Sequence, residues 1–197
     1  MPDHTRATPP HAVEVGQLVY LRYPQPRDRE AFVAIRKASK AHLAPWEPRA
    51  PSGFDAFGHD QFDWIYKTRR KPEQERLFIF TLADRRLIGQ VSLGAITRGP
   101  LLSAYTGYWI AADATGHGYM SEALGLLLNH TFTTLALHRV EANIQPNNEP
   151  SRIVAQRNGF RLEGFSPRYL RIAGDWADHE RWAITIEDWR KFHGRRR

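Results

Sequence analysis

The chain has 197 residues, of which 42% are hydrophobic and 12% aromatic, enough for one domain with a sizeable core. It contains no cysteine, which excludes disulfides, thiolate nucleophiles and cysteine-bound zinc, and no run of about 18 apolar residues, which excludes a membrane-spanning helix. The net charge of +7 favours polyanionic partners such as nucleic acid, ribosomes or phosphorylated cofactors, although much of it lies in residues 67–71 and in the arginines 195–197, which read as solvated surface.

Taken in order, residues 1–16 are polar and proline-bearing and are expected to form a flexible N-terminal segment. They lack the apolar stretch of a secretory signal, and with the missing cysteines this makes a cytoplasmic protein the expectation. Residues 18–22 read as the first strand, stopped by Pro24 and Pro26. Residues 28–40 have the apolar spacing of an amphipathic helix, with Phe32 and Ile35 inward. Trp46 follows, held between Pro45 and Pro48, and either lines a substrate mouth or plugs the edge of the core. Residues 57–70 predict a second helix, and residues 76–83 and 87–96 a hairpin turning at Asp84-Arg85-Arg86.

Residues 104–111 form the next strand, followed by a short loop with two glycines and then a long apolar helix over residues 123–135. The first amides of a helix have no partner inside it, and the helix dipole adds roughly half a positive charge there. Glycines let such a backbone approach an anion closely. Gly116 to Ser121 therefore read as a pyrophosphate cradle. No Gly-Lys-Ser/Thr follows and the Gly-x-Gly-x-x-Gly spacing is absent, so neither a Walker loop nor a dinucleotide fold is indicated. Beyond the helix come a strand over 138–144, a helix over 147–158 ended by Gly159, a strand over 161–165, and a hairpin of 169–172 with 180–186 around Ala173-Gly174-Asp175. The chain then frays from residue 190. The pattern predicts one mixed α/β domain over residues 17–190 with a basic tail at 191–197.

No Gly-x-Ser-x-Gly elbow and no His-Glu-x-x-His spacing occurs, so neither an acyl-enzyme nor a metal site is expected. Direct transfer between two bound substrates needs neither device. The loop Gly116-His117-Gly118-Tyr119-Met120-x-Glu122-Ala123, the run from Arg139 to Arg152, and Gln156-Arg157-Asn158-Gly159-Phe160 together resemble the GNAT family of acetyl-CoA-dependent N-acetyltransferases. Leu43-x-Pro45-Trp46-Glu47-Pro48, Glu163-Gly164-Phe165 and the segment from Tyr169 to His179 look like its RimJ type, the ribosomal-protein alanine N-acetyltransferases. The resemblance spans residues 15–189. It implies a GNAT fold: a single mixed sheet, splayed at the cofactor site, with helices on both faces.

The same resemblance implies the site. The backbone of Trp109, Ile110 and Ala111 would pair with the pantetheine arm, and the loop Thr115, Gly116, His117, Gly118, Tyr119, Met120 and Ser121 would hold the pyrophosphate of acetyl-CoA. Asn148 would hydrogen-bond the pantetheine, Ser151 would protonate the leaving thiolate, and Arg152 would reach a CoA phosphate or else be a solvated helix arginine. Thr115 and Met120 depart from the residues usual in the wider family, but leave the backbone amides intact. Ala155 stands where many relatives carry a tyrosine acid, which adds weight to Ser151 or a water.

Glu141 and Asn143 lie two apart on one strand and share a face, making Glu141 a candidate base, against an ion pair with Arg139. Asp178 and His179 are the reserve pair at the acceptor side, with hairpin hydrogen bonds the alternative. The expected acceptor is the N-terminal amine of a protein, met on a ribosome. A small amine received by Glu47, Asp55 and Asp60, or an RNA-binding protein that keeps the fold without the activity, are the alternatives. No metal or membrane partner is expected, and monomer and homodimer stay open.

Overall fold

The computed structural model describes residues 8–194; residues 1–7 and the arginines 195–197 lie outside the described residues. In chain order the elements are β1 (Glu14–Val15), β2 (Val19–Arg22), α1 (Arg29–Ala38), α2 (Lys40–Leu43), α3 (His59–Thr68), β3 (Arg70–Lys71), β4 (Gln74–Thr81), β5 (Leu87–Thr97) and β6 (Ser103–Ile110). There follow α4 (Tyr119–Thr133), β7 (Arg139–Ile144), α5 (Glu149–Arg157), β8 (Arg161–Ile172), β9 (Asp175–Thr185) and α6 (Ile186–Gly194). The strands make one sheet in the order β1-β2-β4-β5-β6-β7-β9-β8, with β3 added on β4. Neighbours are antiparallel except β6 and β7, the pair joined through α4, as a helical crossover requires.

Alternate residues of each strand serve the two faces. Val140, Ala142 and Ile144 of β7 point to one face, where they pack with Leu124, Leu127 and Leu128 of α4 and Ala155 of α5. On the other face Phe78 and Phe80 of β4 meet Phe32 of α1 and Phe62 and Ile65 of α3. Phe32, Phe62 and Phe78 are fully buried, each stabilising the fold by about 2–3 kcal/mol on area grounds. Phe32 and Phe78 stack at 5.3 Å between centroids.

Four sequence expectations change. The N-terminal segment is attached from Ala12 on: Ala12 and Val13 pack against the core, Val13 N–H donates to Leu21 O at 2.7 Å, β1 pairs with β2, and the Glu14 carboxylate accepts both bonds offered by Asn129 Nδ2 at 3.0 and 3.1 Å. Glu122, in the first turn of α4, accepts the amides of Gln17, Leu18 and Val19 at 2.7–2.8 Å. The helix expected over 28–40 ends at Ala38, and Ser39 starts a new short turn. The strands expected at 161–165 and 169–172 are one, β8, kinked where the register slips between Ser166 and Leu170. The frayed end is α6, opened by Thr185, whose hydroxyl donates to Asp188 Oδ2 at 3.1 Å.

Candidate active site

The site exists because β6 and β7 part company. They pair only over Ser103–Tyr105 and Arg139–Glu141, although β6 runs on to Ile110 and β7 to Ile144. From Thr106 onward the β7 side of β6 is therefore an open edge. Ala111 N–H donates to Ile88 O at 2.8 Å, so in this antiparallel pairing Trp109 also turns its backbone to β5. Tyr108 and Ile110, the alternate residues, present N–H and C=O to the gap. Of the three residues expected to pair with the pantetheine arm, Ile110 has that orientation, while Trp109 and Ala111 face β5.

At the end of β6 the chain makes a short turn, closed by the Thr115 hydroxyl donating to Ala112 O at 3.0 Å. Gly116 and Gly118 follow with φ of 79° and 80°, left-handed values that favour glycine. Among the described residues a Cβ at either position would meet nothing within 4 Å, so both border open space. Gly118 caps α4, and the first turn-to-turn bond runs from Glu122 N–H to Gly118 O at 3.1 Å. The amides ahead of Glu122 thus point out of the helix toward that space. Met120 turns its side chain into the core, and His117 stacks on Tyr119 at the mouth of the loop. This hollow and the open edge of β6 fit a pyrophosphate bearing an amide-containing arm.

α5 closes the gap from the α4 side. Asn158, buried, donates to Ser121 O at 3.1 Å and Val154 O at 2.9 Å, tying the end of α5 to the first turn of α4. At the other end Asn148 Oδ1 caps the helix by accepting Ser151 N–H at 3.2 Å, which leaves its Nδ2 to donate elsewhere. Ser151 Oγ lies 2.8 Å from Tyr108 Oη, which is also 3.1 Å from Ser151 O. Burial pushes the Tyr108 phenol up to about 12, with its bond to Ser151 working the other way. Arg152 pairs with Glu149 at 2.6 Å and Glu180 at 3.1 Å and is committed to the protein. Ala155 is fully buried.

The opposite face of the splay holds a second cluster. Glu141 accepts from Arg139 at 3.0 Å and from Arg181 at 3.0 Å, so both its oxygens are engaged, the ion-pair alternative raised by the sequence. Asn143 has a buried Oδ1 with no donor in reach among the described residues, and the register sets it beside Arg181 on the same face. The Arg181 guanidinium lies 4.7 Å from the Tyr169 ring, and Tyr169 meets His179 edge-on. His179 is buried and its Nδ1–H donates to Ala177 O at 3.0 Å, which leaves Nε2 for a second partner. Asp178 points the other way, exposed, and pins the β8 kink by accepting Arg168 N–H at 2.7 Å. The reserve pair is thus divided: His179 belongs to the cluster and Asp178 to the hairpin.

Trp46 is half-buried in the turn after α2. That turn is docked on the last hairpin, since Glu47 O accepts Ala173 N–H at 2.9 Å. The Glu47 carboxylate takes a two-pronged bond from Arg36 at 2.6 and 2.7 Å, and Arg36 is buried beside Trp109. Asp55 and Asp60 accept the amides of Phe57 and Asp55. The three acids suggested for a small cationic acceptor are therefore all used to shape loops. Sequence reasoning missed Tyr108, Tyr169 and Arg181. Their alternation along the strands was visible, but which helix or strand would lie against them was not.

A family model described as an acetyltransferase (GNAT) domain matches residues 19–161. The [ribosomal protein uS5]-alanine N-acetyltransferase of Escherichia coli is 32% identical over 82% of this chain and 86% of its own. The solved structure of Mycobacterium smegmatis RimJ in complex with CoA-disulfide is 38% identical, with a TM-score of 0.81 over 88% of each chain. That of a ribosomal-protein-S5-alanine acetyltransferase from Vibrio fischeri is 27% identical, with a TM-score of 0.77 over 89% of this chain and 97% of that one.

Proposed function

The chain belongs to the GNAT acetyltransferase family, and from that premise we propose that it moves an acetyl group from acetyl-CoA to the N-terminal α-amine of a protein, with a ribosomal protein as the acceptor. It is an acetyl-CoA-dependent N-acetyltransferase, and the observation that carries this is the splay of β6 from β7, with the Gly116–Gly118 hollow at its outer end. Acetyl-CoA supplies an activated acyl carbon. The residues of this chain do the rest by placement.

The amides of the α4 first turn hold the pyrophosphate, and the backbone of Ile110 and the amide of Asn148 align the arm. Ser151 donates a proton to the leaving sulfur. On the other face Asn143, Tyr169, His179 and Trp46 surround the acceptor. An α-amine has a pKa of about 8, so freeing it at pH 7 costs only about 1.4 kcal/mol. A water, or His179 through Nε2, suffices as base, without breaking the ion pairs of Glu141. An oxyanion formed at the acyl carbon is met by backbone amides at the gap. Three features support a peptide acceptor over a small polyamine: Glu47, of the proposed acids, has both oxygens held by Arg36, the turn carrying Trp46 rests on a hairpin with exposed Trp176 and Phe165, and the net charge of +7 suits RNA-bound substrates.

Turnover is compared on an Ala-initiated peptide and a panel of small amines including spermidine, and intact masses of ribosomal proteins are compared between deletion and parent cells. Preference for the peptide with a loss of about 42 Da on one ribosomal protein is expected, the net mass that an acetyl group adds in replacing a hydrogen on an amine. Unchanged masses, or faster turnover on a small amine, would remove this acceptor.

A further inference from the structure

We propose that Tyr108 is a positioning residue for proton delivery, holding the Ser151 hydroxyl so that its proton faces the leaving sulfur. The proposal rests on Ser151 as the acid. Tyr108 Oη stands 2.8 Å from Ser151 Oγ and 3.1 Å from Ser151 O, yet a phenol has only one proton and the serine hydroxyl only one. Two arrangements follow. If Tyr108 donates to the carbonyl, the serine proton is free to turn back onto Oη, away from the gap. If Tyr108 donates to Oγ, the serine proton must point elsewhere, and the open direction is the splay that Tyr108 itself borders.

The phenol is suited to that task. Its ring packs with the core on the α4 face, so its position is set by β6 rather than by solvent. Burial holds the phenol protonated up to a pKa of about 12, so it remains a donor throughout the working range. Ala155, one helical turn after Ser151 and on the same side of α5, offers no hydroxyl. The facing strand supplies one instead. In the reaction the acceptor nitrogen bonds to the acetyl carbon, the carbon–sulfur bond breaks with its electron pair on sulfur, and the Ser151 proton moves to sulfur. The proton released by the nitrogen returns to Oγ through water, and Tyr108 keeps its own.

A double-mutant cycle tests this on the full-length enzyme. Tyr108→Phe keeps the ring and is expected to lower kcat about tenfold, the value of one oriented hydrogen bond, with the acetyl-CoA KM within about twofold of wild type. In a Ser151→Ala background the same change is expected to cost nothing more, because the hydroxyl it aims is gone. Thermal melting checks that each variant is folded. Wild-type kcat in Tyr108→Phe, or an equal loss in both backgrounds, overturns the positioning role while leaving Ser151 as the acid. Wild-type kcat in Ser151→Ala overturns the acid reading itself.

Discussion

Gly118→Ala separates the cost of a strained backbone from the loss of a phosphate site. Gly118 has φ of 80° and open space where a Cβ would stand, so the methyl meets no neighbour in the protein. The folding cost is then conformational: an L residue in the left-handed region costs about 1–2 kcal/mol, partly offset by the stiffer unfolded chain. A net loss of about 1 kcal/mol lowers the melting temperature of a chain this size by about 2–4 °C. The binding cost is separate. The methyl occupies the hollow at the head of α4, and each charge-assisted bond it displaces is worth about 1.5–3 kcal/mol, so the CoA Kd is expected to rise about 10–100-fold. Gly99→Ala is the control: Gly99 has φ of 71°, equally open surroundings, and a place in the β5–β6 turn. It should show the same melting shift with unchanged affinity. Calorimetric titration with CoA reads the difference. If the two variants bind CoA equally well, the hollow is not the pyrophosphate site.

Glu141→Gln is expected to raise the acceptor KM several-fold through a loosened Arg181 while kcat falls less than tenfold; a hundredfold fall in kcat with loss of the acidic limb of the pH–rate profile would make Glu141 the base after all. Glu47→Ala leaves Arg36, which is 2% exposed, with the Ala56 carbonyl and the Phe57 and Trp109 rings but no opposing charge, and should cost about 3–5 kcal/mol in urea unfolding; a loss below about 1 kcal/mol would mean that those contacts or solvent suffice for the guanidinium. Glu75 is buried, which alone would raise its pKa, but hydrogen bonds from His130 and Tyr23 at 2.9 Å outweigh that and hold it below the usual carboxylate value of 4.5. A depressed carboxylate stabilises fully above its unfolded pKa and loses that stabilisation as pH falls through the folded one. The stability gap between wild type and Glu75→Gln should therefore shrink as the pH falls below about 4; a gap unchanged between about pH 4 and about pH 3 would refute the linkage.

What could be read in advance follows from how far each signal reaches along the chain. The strand, glycine loop and helix at 104–135 are local signals, periodicity and backbone freedom, and they appear in the expected order, with α4 opening four residues early at Tyr119. The Thr185–Asp188 cap that opens α6 was equally local, but it abuts an apolar strand whose alternation carried the reading past its end. Side-chain commitments depend instead on distant partners. Arg152 looked free for phosphate because Glu180 lies 28 residues away, and Glu141 looked like a base because Arg181 lies 40 residues away. Asp178 and His179 looked like a pair because adjacency in sequence hides the opposite faces of a strand.

The same geometry is the reason for proposing that the reaction takes place at the splay. A continuous sheet keeps its two faces apart: α4 and α5 pack on one, α1 and α3 on the other. A cofactor gripped by α4 would be walled off from an acceptor lying under α1. Where β6 leaves β7 after Tyr105, that wall has a slot. Tyr108 and Ser151 reach its edge from one face, Asn143 and Arg181 from the other. Gly107, in the open stretch of β6 on the face shared by Tyr105 and Trp109, adds no side chain to block it. On that reasoning, filling the slot should stop transfer without loosening either partner. Gly107→Ala, whose Cβ would meet among the described residues only Ser92 Oγ at 3.4 Å, should leave CoA affinity and melting temperature near wild type while kcat falls. Equal turnover in that variant would mean the acyl group crosses the sheet elsewhere.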